Sequence, residues 1–267
     1  MKYNIKYFVD FVNGRKKPYD DNGHGTKVCG IIAGTGYQNN GKFKGIAPKS
    51  NLVVLKALDE DGLANIIDIQ NSIRWIIDNK KKYDIKIICL SLGFEDFNEH
   101  YSVNPLYDII VEAKQNGLLI VTSAGNNNDI MYPGIIPDVL TVGSIDYNKR
   151  LDTYKIATFS SPLVDFDEYS KPDIYTLGTN LITTNYNNNY STVSGTSFSA
   201  AIVAGQAALF FNKYNELNNE EIKNKIIELS KEKILYFSKE KRNDSENWML
   251  HKSKNHIYYF NNQYNFN

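Results

Sequence analysis

Apolar residues in this chain follow two spacings. Short unbroken runs, Leu52-Val53-Val54-Leu55, Lys86-Ile87-Ile88-Cys89-Leu90-Ser91, Leu118-Leu119-Ile120-Val121-Thr122 and Val139-Leu140-Thr141-Val142-Gly143, read as strands buried on both faces. Between them the spacing changes. Ile66, Ile69, Ile73, Ile76 and Ile77 recur at helical intervals and predict a helix from Ile66 to Asn79. A second helix is predicted from Tyr107 to Asn116, with Gly117 as its C-cap. Apolar strands alternating with helices predict an α/β architecture, a mostly parallel sheet with helices on both faces and right-handed crossovers. In such sheets the working residues lie just past the carboxyl ends of the strands.

The character changes after about residue 212, so residues 1–212 are expected to form one domain and 213–267 a C-terminal helix and extension. Asn218 and Asn219 open an amphipathic stretch with Ile222, Ile226, Ile227 and Leu229. Residues 235–267 are rich in Lys, Asn and Tyr, carry no catalytic pattern, and predict either a covering hairpin or a loose extension.

Composition narrows the function. The 30 basic and 30 acidic side chains cancel, leaving no excess of positive charge to neutralise phosphates, so a nucleic-acid partner is not expected. No run of about 18 apolar residues is present, so no membrane span is expected. The start, Met1-Lys2-Tyr3-Asn4, lacks the apolar core of a signal peptide. Cys29 and Cys89 both sit in apolar runs and read as buried free thiols.

Three polar segments fall at strand ends or helix starts. His24 lies between Gly23 and Gly25 at the start of a small-residue helix, where the dipole favours the neutral imidazole of a general base. Ser197 opens a helix of small residues, Phe198-Ser199-Ala200-Ala201-Ile202-Val203-Ala204-Gly205. The positive end of that helix stabilises an alkoxide. Asn126 follows an apolar strand and a Ser-Ala-Gly turn, and its amide can donate into a cleft. Taken singly, each also has an ordinary reading as a cap or turn residue.

Together they resemble the subtilisin-like serine peptidases, the subtilases. The resemblance rests on Asp21-Asn22-Gly23-His24-Gly25-Thr26 with its helix, Gly195-Thr196-Ser197 with its helix, and Ser123-Ala124-Gly125-Asn126. Gly45-Ile46-Ala47-Pro48, Ser91-Leu92-Gly93, Tyr132-Pro133-Gly134 and Lys171-Pro172-Asp173-Ile174 follow the same family order. It implies a subtilisin-like three-layer fold and an endopeptidase acting through an acyl-enzyme. Ser197 would be the nucleophile, His24 its base, and Asn126 with the Ser197 N–H the oxyanion donors. Ser91, Leu92, Gly93, Ser123 and Gly125 would bind an extended peptide or protein substrate by strand addition. Ala201 and Ile202 stand where the family usually has Pro and His, and Met131 is expected to narrow the pocket for the residue preceding the scissile bond.

One member of the implied triad has no counterpart. The family Asp lies about 30 residues before the His, but His24 has only 23 residues in front of it. Asp10 ends an apolar run only 14 residues before His24, and Phe11-Val12 follows where a small residue and Gly are expected. Asp20 and Asp21 are expected to shape the turn. The Asp-bearing strand is therefore expected on an upstream segment or a second chain, and an inactive subtilase-like binding protein is the alternative. The implied chemistry needs no cofactor. The loop 37–44 offers amide oxygens but no carboxylate, so no metal site is expected there.

Overall fold

The computed structural model describes residues 4–95, 100–148, 150–151, 153–233, 236–242 and 245–251. The chain runs β1 (Ile5–Asp10), α1 (His24–Ala33), β2 (Leu52–Lys56), α2 (Ile66–Tyr83), β3 (Ile87–Leu90), α3 (Tyr107–Gln115), β4 (Leu119–Ser123) and β5 (Leu140–Asn148). It continues through β6 (Thr153–Ile156), β7 (Val164–Asp165), β8 (Ser170–Lys171), β9 (Ile174–Leu177), β10 (Leu181–Asn185) and β11 (Asn189–Val193). The last elements are α4 (Thr196–Lys213), α5 (Asn219–Lys233), β12 (Tyr236–Arg242) and β13 (Ser245–His251).

The main sheet is built around β4 and β5. Strands β3, β4 and β5 pair in parallel, and β9 adds in parallel to the middle of β5. The far half of β5 turns antiparallel with β6, and the hairpin of β12 and β13 extends that edge. In backbone β12 and β13 pair antiparallel; residues 243–244 and 252–267, also covered by the expected hairpin or extension, lie outside the described residues. Strands β1 and β2 form a separate parallel pair, β7 and β8 another small pair, and β10 and β11 a hairpin.

Strand β4 shows why an unbroken apolar run is needed. Its side chains alternate between two cores. Ile120 enters one with Ile73 of α2 and Ile110 of α3; Leu119 and Val121 enter the other with Val203 and Ala207 of α4 and Ile222 and Ile226 of α5. The result is the expected three layers, with α2 and α3 on one face and α1, α4 and α5 on the other. Helix α4 ends at Lys213, and α5 packs onto the same core. Asn218 caps α5: its side chain accepts from the Glu220 and Glu221 N–H groups, while Glu221 accepts from the Asn218 N–H.

Helix α1 carries His24 and is held at both ends. Its last carbonyls, orphaned by helix geometry, accept from the N–H groups of Gly45, Ile46 and Ala47, the short segment shared with the family. Its flank meets the β10–β11 hairpin, where Thr183 and Thr184 donate to the Lys27 and Thr26 carbonyls at 2.9 and 3.0 Å. Gly30 is the contact point that permits this approach.

Replacing Gly30 by Ala removes a helix-interior glycine, worth about 1 kcal/mol by propensity alone. The new Cβ, however, would fall inside contact distance of the Thr183 and Thr184 hydroxyls. The clash dominates, and G30A is expected to lower stability by about 1–3 kcal/mol, seen as a lower urea midpoint. An unchanged midpoint would show that α1 can lift from the hairpin freely.

Candidate active site

Ser197 stands in the first turn of α4. That helix packs against β3, β4, β5, β9 and α1, which its buried Ala200, Ala201, Ala204, Gly205 and Ala207 permit. Ala201 is fully buried and shares a cluster with Val28, Ile31 and Phe198. The half-buried Ser197 is tied to the end of β3 by a reciprocal pair. Its Oγ donates to the Ser91 carbonyl at 3.3 Å, and Ser91 Oγ donates to the Ser197 carbonyl at 2.8 Å. Helix geometry leaves first-turn N–H groups without intrahelical acceptors, and the α4 dipole adds positive potential at Ser197.

Asn126 comes from the loop after β4 and meets the same helix end. Its Oδ1 accepts from both the N–H and the Oγ1 of Thr196, each at 3.0 Å. A backbone N–H can only donate, so the oxygen faces Thr196 and the amide nitrogen points away from it. Thr196 is fully buried, and its Oγ1 accepts from the Gly125 N–H at 3.3 Å. Its positioning role went unread in the sequence because its partners lie about 70 residues away.

His24 begins α1, with its ring beside Phe198 of α4 at 5.6 Å between centroids. The structure thus brings His24 to the turn that bears Ser197, although the Ser197 hydroxyl bonds Ser91. Catalytic hydrogen bonds commonly tighten only when substrate binds. Burial holds the His24 pKa below its ordinary value, Lys27 adds to this, and Asp20 partly offsets it. Among the described residues the ring has no hydrogen-bond partner.

The three nearby carboxylates are engaged elsewhere. Asp10 is buried and accepts from the N–H groups of Val12, Asn13 and Arg15 and from the Tyr19 hydroxyl. Burial raises its pKa, but these bonds outweigh it and hold the carboxyl below its usual range. Asp20 accepts from the N–H groups of Asn22, Gly23 and Thr26 and from Thr26 Oγ1, which builds the turn before His24 as expected. Asp21 pairs with Lys56 at 2.6 Å.

The substrate-binding candidates separate into distinct roles. Ser123 Oγ donates to the Leu92 carbonyl at 3.2 Å and so links the two segments. Leu92 packs into the core. Gly125 has both backbone groups used within the protein, donating to Thr196 and accepting from the Ser161 N–H. Gly93 is exposed, and its backbone makes no hydrogen bond among the described residues. Met131 lies between the segments, its side chain against the faces of both Gly93 and Gly125. Cys29 and Cys89 are free; each residue keeps some accessible surface, while burial pushes the Cys29 thiol up to about 12 and the Cys89 thiol up to about 11. Among the described residues, no three His, Cys, Asp or Glu side chains gather as a metal site.

A helix-borne serine, an imidazole near the same helix start and an anchored amide stand together on an α/β frame. The chain belongs to the subtilase family, whose model matches residues 1–248. It is 34% identical over 240 residues to the serine protease AprX of Bacillus subtilis, covering 81% of this chain and 54% of AprX. It is 30% identical to subtilisin DY of Bacillus licheniformis, covering 82% of this chain and 74% of that protein. The chain thus spans about half the length of AprX. Among solved structures, sphericase superposes with a TM-score of 0.73 at 28% identity, covering 83% of this chain and 76% of sphericase.

The lowered His24 pKa has a definite pH consequence. An NMR titration of its ring is expected to show a midpoint below 6.5. Because the folded value is depressed, the unfolded chain takes up its proton first. The linked stability is therefore complete above about 6.5 and declines as pH falls through that value towards the folded pKa. His24→Gln should flatten this part of the stability profile; an undiminished slope would contradict the assignment.

Proposed function

We propose that this chain is the main part of a serine endopeptidase that hydrolyses peptide bonds through an acyl-enzyme on Ser197. The observation that carries this is the convergence of Ser197, Asn126 and His24 on the first turn of α4. In the proposed reaction Ser197 Oγ attacks the carbonyl carbon of the scissile bond while His24 takes its proton. The Asn126 amide and the Ser197 N–H donate to the oxyanion. His24 then delivers its proton to the leaving amine, and a water molecule repeats the sequence to release the acyl group. The exposed Gly93 backbone pairs with the extended substrate, while Ser123 and Gly125 shape the opposite wall.

The triad carboxylate comes, on this proposal, from outside the described residues, since Asp10, Asp20 and Asp21 are committed to other partners. That same commitment favours a second reading, an inactive subtilase-like binding protein. Fluorophosphonate labelling separates the two. The endopeptidase reading expects labelling that Ser197→Ala abolishes, and complete absence of labelling in every preparation would leave the binding reading.

In labelling-competent protein, Asn126→Ala is expected to lower kcat by about 10²–10³-fold, measured on a peptide substrate. A loss below threefold would remove Asn126 from the oxyanion site. Met131 is proposed to fill the pocket for the residue preceding the scissile bond. Met131→Gly should shift cleavage of a peptide library from small towards aromatic residues at that position. A native preference for aromatic residues would refute this role.

A further inference from the structure

The loop that carries Asn126 has few bonds of its own. Asn126, Asn127 and Asn128 are exposed at its tip. Among the described residues the backbone groups of these three make no hydrogen bond, and the tip is held through the Asn126 side chain on Thr196. At the base, the Ala124 N–H donates to the Val142 carbonyl at 2.9 Å, and the Met131 N–H donates to the Ala124 carbonyl at 2.8 Å. A misplacement of about 1 Å can cost a reaction about 10²-fold. The position of the Asn126 amide therefore depends on what grips the two shoulders of the tip, Gly125 and Asp129.

One residue grips both. Ser161 is fully buried and lies shortly after β6. Its N–H donates to the Gly125 carbonyl at 3.2 Å, on the shoulder before Asn126. Its Oγ lies 2.5 Å from the Asp129 carbonyl, on the shoulder after Asn128, and 3.3 Å from the Ala124 carbonyl. A hydroxyl has one hydrogen, and the shorter contact takes it. The fit at Gly125 is tight: a Cβ there would fall 2.9 Å from both Ser161 Oγ and the Asp129 carbonyl oxygen. Ser161 is itself fixed from behind. Its carbonyl accepts from Ser160 Oγ at 3.2 Å and from the Tyr175 hydroxyl of β9 at 3.3 Å. Ser160 Oγ in turn accepts from the Ser144 N–H of β5 at 2.9 Å. Two strands of the main sheet thus reach the loop through this residue.

We propose that Ser161 is a positioning residue, which clamps Gly125 and Asp129 to the β5–β9 side of the sheet and so holds the Asn126 amide where the oxyanion forms; this rests on the proposed peptidase reading and adds a residue to its site. A buried hydroxyl can also serve stability alone. The choice of partners argues for more than that. Ala124, Gly125 and Asp129 all belong to the one segment that bears Asn126, and the tip between them has no backbone support of its own.

The test compares Ser161→Ala, which removes the hydroxyl and keeps the N–H, with Ser161→Cys, which keeps a weak donor in its place. Hydrogen exchange is followed at the Gly125 and Thr196 amides, whose acceptors are Thr196 Oγ1 and Asn126 Oδ1, with Val121 of β4 as reference. Ser161→Ala is expected to speed exchange at Gly125 and Thr196 and to leave Val121 unchanged. On a peptide substrate it should lower kcat by on the order of 10-fold, with little change in KM. Ser161→Cys should fall between, and it carries the same comparisons if Ser161→Ala does not fold. Added to Asn126→Ala, either variant should cost no further kcat, because the amide it positions is gone. Unchanged exchange at both amides overturns the clamp. A kcat loss that recurs in full on top of Asn126→Ala, or a raised KM with kcat unchanged, overturns the positioning role. Faster exchange at both amides, in a chain whose unsubstituted form fluorophosphonate never labels, supports the clamp and removes the peptidase reading instead.

Discussion

The first turn of α4 is the point on which the site depends. A buried helix start presents N–H groups that need acceptors, and here the Asn126 side chain supplies one to Thr196. The same bond turns the Asn126 nitrogen away from Thr196. The reciprocal Ser91–Ser197 pair fixes the helix start against the end of β3. Small side chains along α4 let it approach the sheet closely enough for these short bonds to form.

The surroundings of that turn are less evenly built. On the β4 side the strands are paired on both edges and buried. On the β2 side every strand residue is only half-buried, and the His24 imidazole, its pKa held down by burial, has no hydrogen-bonding carboxylate among the described residues. The local polar groups do not relieve this. Asp10 and Asp20 each collect several donors within their own turns, and rotating either towards His24 would abandon backbone N–H groups that these carboxylates satisfy.

Much of the frame was legible in the chain. The apolar runs at 52–55, 86–91, 118–122 and 139–143 became strands because parallel strands between two helical layers must be apolar on both faces. The helices at 66–79 and 107–116 followed from their spacing, with α2 running four residues further to Tyr83. The region from β6 to β11 was not legible. Its strands are short and partly exposed, and their pairing is decided by contact, as when the Thr183 and Thr184 hydroxyls reach the carbonyls of α1. β1 carried a readable apolar run, but its Asp10 proved to organise a turn.

By itself the sequence determined the architecture, the family and the identity of the chemically capable groups, because periodicity and motif order are local properties of the chain. Only the tertiary structure decided which of those groups were committed. Ser91 and Ser197 are separated by 106 residues, and Asn126 and Thr196 by 70. No local pattern encodes bonds across such distances. They arise when the sheet and α4 pack, and that packing turns the Asn126 amide and sets Met131 between Gly93 and Gly125.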